Sequence, residues 1–332
     1  LRTLTVLKDS VKNIKASRGI DVDIDHIDFN DKGTLDFIGT GKTEGVFQLE
    51  SAGMQSFMKE LSPQSFEDIV AGISLYRPGP MDSIPDYIAN KKNPEGITYT
   101  HKSLEPILSV TYGCLVYQDP AGYSYGRSDL VRRAMSKKKA DVMAQEEEYF
   151  VRGKLLEDGT VDVPGCVRNG VPEAEAKAIF QDMVKFASYA FNKSHAAAYA
   201  VLAYETAWLK RHYPAEFMAA LMTSVKGDPR QVAKYIRNCK EMGIQVLPPD
   251  VLQSEKKFSV HDGAVRFGMM GIKNVGDAVI DEIIRARKEY NPSGDFEDFI
   301  NSLDISKINK KAIESLIRAG AFDTINENRA QL

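Results

Sequence analysis

A dense group of cationic side chains lies near the middle of the chain. Residues 130–139 read LVRRAMSKKK, whereas the whole chain has a formal net charge of −3. Arginine binds phosphate oxygens through paired hydrogen bonds, and lysine supplies a compact point charge. From these residues alone, two interpretations stay open: a phosphate-binding group and a solvated basic helix face. The cations concerned are Arg132, Arg133, Lys137, Lys138 and Lys139.

A second candidate anion site lies at residues 191–200, which read FNKSHAAAYA. We expect Ser194 to be the N-cap of a helix, whose free backbone N–H groups would lie beside Lys193. His195 and Tyr199 are four residues apart, so on a helix they share a face on which a planar base could stack. The alternative is an ordinary helix with a packed tyrosine and a surface histidine.

A third candidate site combines a short turn with a helix start. Residues 271–284 read GIKNVGDAVIDEII, a pattern similar to the helix-hairpin-helix motif, whose turn presents backbone N–H groups to one DNA phosphate without reading bases. Asn274 stands where the motif has its first glycine, and asparagine tolerates the left-handed backbone conformation. The alternative is a plain helix start. The candidate DNA-binding residues are Lys273, Asn274, Val275 and Gly276.

An acidic stretch near the start of the chain could hold a metal ion. Asp21, Asp23 and Asp25 alternate, with His26 and Asp28 beside them. Grouped carboxylates on Mg²⁺ would suit phosphoryl chemistry. No predicted strand frames these acids, however, so we interpret the stretch as a solvated loop. We assign neither a catalytic residue nor a metal ligand to this chain.

The composition sets the class of protein. Hydrophobic residues make up 43% and charged residues 27% of the 332 positions, typical of a globular chain of two domains. No apolar run of 18 residues occurs, which predicts no membrane association. The cysteines are scattered, which favours a reducing cytoplasm. The start LRTLTVLKDS has neither an initiator Met nor a signal-peptide pattern and suggests the interior of a longer chain.

The hydrophobic periodicity predicts a mainly α fold with small β elements. A helix is expected up to Gly19, another capped by Ser128, and a charged helix after Lys139 through about Leu156. Short strands are expected around an Asp-Gly turn at residues 262–263. After Gly243 the predicted helices give way to a Pro-Pro step and short β-like runs, so we place a domain boundary near residue 245.

Seven segments occur in the order found in one known family. The chain resembles the alpha subunit of bacterial DNA polymerase III, the C-family of replicative polymerases, over essentially all of its residues. The segments are GVFQLESAGM, LYRPGPM, TYGCLVYQ, LVRRAMSKKK, FNKSHAAAY, HYPAEFMAALM and VLPPDV.

The resemblance implies a polymerase fingers domain at 1–245 and a tandem helix-hairpin-helix DNA-binding region at 246–332. The second hairpin, around Lys307–Lys311, lacks glycine. The resemblance assigns contacts with the incoming nucleotide's triphosphate to Arg132 and Arg133, with residues 137–139 nearby. It also implies a pocket for the nucleotide and the templating base, lined by Asn192, Lys193, His195 and Tyr199.

The same resemblance implies that the parent protein is a DNA-directed DNA polymerase whose partners are primer–template DNA, dNTP, the sliding clamp and other replisome subunits. In the family, Mg²⁺ is bound by palm carboxylates that precede this stretch, so we expect this chain alone to be inactive. At Asp119-Pro120 a longer family segment is missing. Two other interpretations of the chain's function are a stand-alone, non-catalytic DNA-binding module and a nucleotide-binding regulatory protein.

Overall fold

A computed structural model describes residues 1–78, 80–109, 122–136, 140–187, 193–289 and 295–332. The chain forms two compact units. Leu1–Gln55 with Val201–Leu332 form one, called here the terminal unit, and Ser56–Ala200 form the other, called the central unit. The predicted fold class, mainly α with small strands, is confirmed. None of the helices in the described ranges is long and apolar enough to span a membrane.

Fifteen α-helices are found within the described residues. In chain order they are α1 Arg2–Arg18, α2 Lys32–Gly39, α3 Ala52–Leu61, α4 Phe66–Leu75, α5 Ile84–Lys92, α6 Glu105–Leu108, α7 Tyr125–Ser136, α8 Ala140–Arg152, α9 Glu173–Ala187, α10 Lys193–His212, α11 Pro214–Ser224, α12 Pro229–Glu241, α13 Asp277–Ala286, α14 Phe296–Asn301 and α15 Lys310–Arg318. Short 3-10 turns include Ile24–His26, Met269–Gly271 and Ile305–Lys307.

The strands are short and form two small sheets. In the central unit, β1 (Lys154–Leu155) and β2 (Val161–Val163) are antiparallel. In the terminal unit, β3 (Val246–Leu247), β4 (Ser259–His261) and β5 (Ala264–Arg266) have the order β3-β5-β4. The β4–β5 turn has positive φ at both Asp262 and Gly263, the backbone that a two-residue hairpin turn requires. The expected Asp-Gly hairpin is therefore confirmed.

Helix α1 packs on α11 at the centre of the terminal unit. The apolar residues Val6, Leu7 and Ile14 of α1 are buried in the same core as most of α11. The helix ends where predicted, because Gly19 adopts the left-handed conformation with φ 68°. Beside this end, Arg18 donates to the buried Glu216 at 2.6 Å, which fixes α1 against the start of α11.

The strands β3–β5 share this first core, to which they contribute Val260 and Val265. A second core of the terminal unit lies among α13, α14 and α15 and includes Ile280, Phe299 and Leu316. The last 87 residues of the predicted division therefore contribute to both cores. The boundary near residue 245 stays a prediction.

In the central unit, two predicted helix ends are displaced. Helix α7 begins before Ser128, because Ser124 accepts a hydrogen bond from the Arg127 amide at 3.3 Å and so caps the first turn. Helix α8 ends at Arg152 rather than near Leu156. The next residue, Gly153, has φ 90°, and a Cβ there would lie 2.5 Å from the carbonyl oxygen of Pro164.

Candidate functional site

The predicted triphosphate-binding arginines lie in the second half of α7. Val131 and Ala134 of this helix are buried, whereas Arg133 is exposed. The packing of α7 against its own unit therefore turns Arg133 toward solvent. Arg132 lies on the same helix, and residues 137–139 lie outside the described residues. The assignment of these cations to a triphosphate stays a prediction.

Arg127, in the first turn of α7, was not predicted from the sequence. Its guanidinium donates to the carboxylate of Glu146 at 2.9 Å and 3.3 Å and to Asp162 at 3.2 Å. It also lies 4.9 Å above the ring of Tyr149 and 5.6 Å from that of Tyr123. Nothing in the spacing of the segment GYSYGRSD distinguished this arginine from the cations that follow it, because its partners are far away in sequence.

Helix α10 carries the second candidate site and begins at Lys193. Ser194 therefore lies inside the first turn, and its expected role as N-cap is wrong. The rings of His195 and Tyr199 lie on one face, with centroids 4.2 Å apart and an interplanar angle of 35°. His195 is exposed, and Tyr199 is half-buried. A shared imidazole–phenol face is confirmed, while a nucleotide contact remains a prediction. Asn192 lies outside the described residues.

The third candidate site is the turn between the 3-10 turn Met269–Gly271 and α13. Ile272 and Val275 are each 8% exposed and pack into the second core, whereas Lys273 and Gly276 face solvent. The Val275 amide donates to the carbonyl of Ile272 at 3.3 Å. Of the four predicted DNA-binding residues, Val275 thus serves as an apolar anchor for the turn.

Asn274 is the left-handed residue of this turn. Its φ is 66°, and its side-chain amide donates to the Ser315 hydroxyl of α15 at 3.1 Å. Gly276 has φ −89° and ψ 170°, so it does not require the left-handed conformation. A Cβ on Gly276 would meet no heavy atom of the described residues within 4 Å. Gly276 is the N-cap of α13 and, having no side chain, leaves the first amides of the helix open.

A buried carboxylate holds the next hairpin turn against α13. Glu282 accepts hydrogen bonds from the Asp304 amide at 2.9 Å, the Lys307 ammonium at 3.1 Å and the Arg285 guanidinium. These donors lower the pKa of Glu282 to about 2, the Arg285 hydrogen bond most of all. Lys307, from the predicted second hairpin, is thereby engaged within the protein.

The acidic stretch is used for local structure. Asp23 accepts from the Asp25 amide and lies 2.8 Å from His26 Nδ1, while Asp31 caps α2 through the Thr34 amide. His212 and the Thr34 hydroxyl also bond to Asp31, and together these partners lower its pKa to about 2 against the opposing effect of burial. Over the described residues, no group of three His, Cys, Asp or Glu side chains is arranged to hold a metal ion.

The chain is similar to known proteins over its whole length. Residues 3–157 match the bacterial DNA polymerase III alpha subunit finger domain, and residues 243–332 match a helix-hairpin-helix motif. DNA polymerase III subunit alpha of Thermus aquaticus is 43% identical over the whole chain, which covers 27% of that protein. The subunits of Mycobacterium tuberculosis and Bacillus subtilis are 42% and 40% identical, again over the whole chain, with 28% and 29% of their lengths covered.

These matches identify a class of protein, the bacterial DNA polymerase III alpha subunits, of which a finger domain and a helix-hairpin-helix motif are matched here. The chain belongs to the DNA polymerase III alpha subunit family, as its sequence motifs predicted. It spans less than a third of the length of the curated relatives it matches.

Proposed function

We propose that this chain is the part of a DNA-directed DNA polymerase that neutralises and positions phosphate groups. Arg132 and the exposed Arg133 of α7 and the His195–Tyr199 face of α10 would contact the incoming dNTP. The turn at 272–276 would contact the backbone of duplex DNA. The observation that carries the proposal is similarity to DNA polymerase III alpha subunits over the whole of this chain, combined with an exposed, uncapped α13 start beside Lys273.

This chain and the rest of the polymerase would stabilise the negative charge of the phosphates in different ways. In nucleotidyl transfer, negative charge develops on the phosphates, and preorganised cations stabilise it. The chain would supply such cations, while Mg²⁺ would be bound by residues outside it. The purified chain should therefore not extend a primer, with Mg²⁺ or with Mn²⁺. Template-directed extension by a preparation free of other polymerases would contradict this proposal.

The nucleotide contact is tested in the full-length parent polymerase with Arg132→Ala and Arg133→Ala. Each change removes a charge-assisted contact of a kind worth about 1.5–3 kcal/mol, so nucleotide use should fall by at least tenfold. Binding of primer–template DNA should change much less. Unchanged kcat and KM for dNTP in both variants would show that these arginines do not contact the triphosphate.

The DNA contact is tested by salt titration of the 332-residue chain with duplex DNA. Each phosphate neutralised by a cation contributes about 0.9 to the log–log salt slope. Lys273→Ala should lower the slope by about that amount, and binding should not depend on base sequence. Lys8→Ala, at an exposed position of α1, is the matched control. Equal slopes for the parent chain and both variants would make the turn a packing element only.

A further inference from the structure

Arg127 is a half-buried arginine in the first turn of α7, whereas Arg133, later on the same helix, is exposed. The Arg127 side chain is only 18% exposed, and its carboxylate partner Glu146 is 7% exposed. It makes a forked contact, with Nε and Nη2 on the two oxygens of one carboxylate. Buried, forked pairs of this kind are geometrically specific, unlike exposed ion pairs.

The partners of Arg127 lie on two neighbouring elements. Glu146 belongs to α8, and Asp162 belongs to β2 and also receives the Lys154 ammonium at 3.1 Å. Tyr123, which precedes α7, donates through its hydroxyl to the carbonyl oxygen of Glu146 at 3.2 Å. The first turn of α7 is therefore tied to both elements through a single guanidinium.

Arg127 also lies on the buried face of its helix. Val131 and Ala134 follow it at intervals of four and three residues, and both are buried. Arg133 is on an exposed position of the same helix. Rotation of α7 about its axis would move Arg133, and the forked Arg127–Glu146 contact opposes such rotation.

We propose that Arg127 is a positioning residue for nucleotide binding, which fixes the rotation of α7 and so the direction of the arginines in its second half. The inference rests on the proposed function of Arg132 and Arg133. Arg127 itself is engaged within the protein and would not touch the nucleotide. A lysine keeps the charge at this position but cannot reproduce the planar fork.

The experiment uses the full-length parent polymerase with Arg127→Lys, Arg127→Met and Glu146→Gln. We expect KM for dNTP to rise about tenfold with Arg127→Met, which corresponds to about 1.4 kcal/mol, and less with Arg127→Lys. The kcat per active site and the affinity for primer–template DNA should stay within about twofold. A merely structural role would lower the melting temperature and the fraction of active enzyme and leave KM unchanged.

A matched control and a double variant complete the test. Arg152 of α8 pairs with Glu148 and Glu173 at an exposed site, so Arg152→Lys should leave KM unchanged. Arg127→Lys combined with Arg133→Ala should raise KM by less than the product of the single effects, because Arg127 acts through α7.

If Arg133→Ala raises KM but Arg127→Lys and Glu146→Gln do not, this inference is wrong and the proposed function stands. If Arg133→Ala and Arg132→Ala leave KM unchanged, the proposed function is wrong and this inference falls with it.

Discussion

The two hairpin turns of the terminal unit bury their apolar residues to different extents. In the first turn, Ile272 and Val275 are both buried, and the left-handed backbone of Asn274 brings them to the same side. In the second, Ile305 is 81% exposed and lies in the 3-10 turn Ile305–Lys307. The first turn, in which Asn274 has positive φ, thus buries two apolar side chains, whereas the second turn exposes Ile305.

The helices that follow these turns also begin differently. Gly276 leaves the first amides of α13 open, whereas Asn309 caps α15 by accepting from the Ala312 amide at 2.9 Å. Lys273 is exposed, while Lys307 is bound by Glu282 and Asp304. The first turn therefore has the exposed lysine and uncapped helix start that the proposed phosphate contact requires, whereas the second turn is bonded within the protein through Lys307 and Asn309.

The strongest test of the Glu282 contacts is Glu282→Gln, which removes the negative charge and replaces one of the two buried acceptor oxygens with an NH2 donor. We expect the free energy of unfolding to fall by about 2–3 kcal/mol, because the Arg285 and Lys307 cations lose the buried negative charge that they share. Denaturant unfolding of the chain at pH 7 measures the loss. Glu289→Gln is the control, since Glu289 is exposed and bonds to Arg285 at 2.8 Å.

The same carboxylate predicts a pH dependence. The pKa of Glu282 is lowered from 4.5 to about 2 in the folded chain, so the folded state binds its proton less readily than the unfolded state. Its contribution to stability is complete above pH 4.5 and is lost as the pH falls toward 2. Across this window the parent chain should lose more stability than Glu282→Gln. Parallel curves of stability against pH for the parent chain and Glu282→Gln would show that the ionised Glu282 carboxylate does not stabilise the fold.

The next largest effect concerns the cap of the second turn. Asn309→Ala should lower the free energy of unfolding by about 1 kcal/mol, because the Ala312 amide loses its acceptor. Asn309→Ser should retain most of the stability, since serine is also a good N-cap. Thermal unfolding of both variants measures the difference. An equal loss in the two would show that the asparagine acts by some means other than capping.

Much of this fold follows from the local sequence. The C-terminal end of α1 and the β4–β5 turn were predicted because Gly19 and the Asp262-Gly263 pair determine local backbone geometry. Asn274 was correctly identified as a residue suited to the left-handed conformation. Local signals failed at α7, where both Ser124 and Ser128 could cap a helix and only the packed structure distinguishes them.

The contacts that hold the candidate sites could not be predicted in this way. Glu282 reaches Lys307 across 25 residues, and Arg127 reaches Asp162 across 35. In the sequence, these side chains resemble the solvated charges around them. Their importance arises from burial and from the convergence of donors on one carboxylate, which depend on how helices pack rather than on residue spacing.

A smaller effect is expected at the left-handed residue of the first turn. Asn274→Ala should lower the free energy of unfolding by about 0.5–1 kcal/mol, because alanine accepts φ 66° less readily and the bond to Ser315 is lost. Asn274→Gly also loses that bond but gains a residue suited to this φ, so its stability should change by less than about 0.5 kcal/mol. A glycine variant that is as unstable as the alanine variant would show that the Ser315 contact, not the backbone, maintains the turn.

The smallest effect on stability and the clearest separation of the two turns are expected at Gly276. Its φ of −89° suits any residue, and an added Cβ meets no described atom within 4 Å, so Gly276→Ala should change the free energy of unfolding by less than about 0.5 kcal/mol. If the open amides of α13 bind a DNA phosphate, the same methyl group would crowd that phosphate and weaken duplex binding. Fluorescence anisotropy with duplex DNA at several salt concentrations, measured beside thermal unfolding, separates the two effects. The control is Asn309→Ser at the second turn, which should leave DNA binding unchanged. Unaltered affinity in Gly276→Ala would mean that the open start of α13 does not bind DNA, however closely the turn resembles the motif.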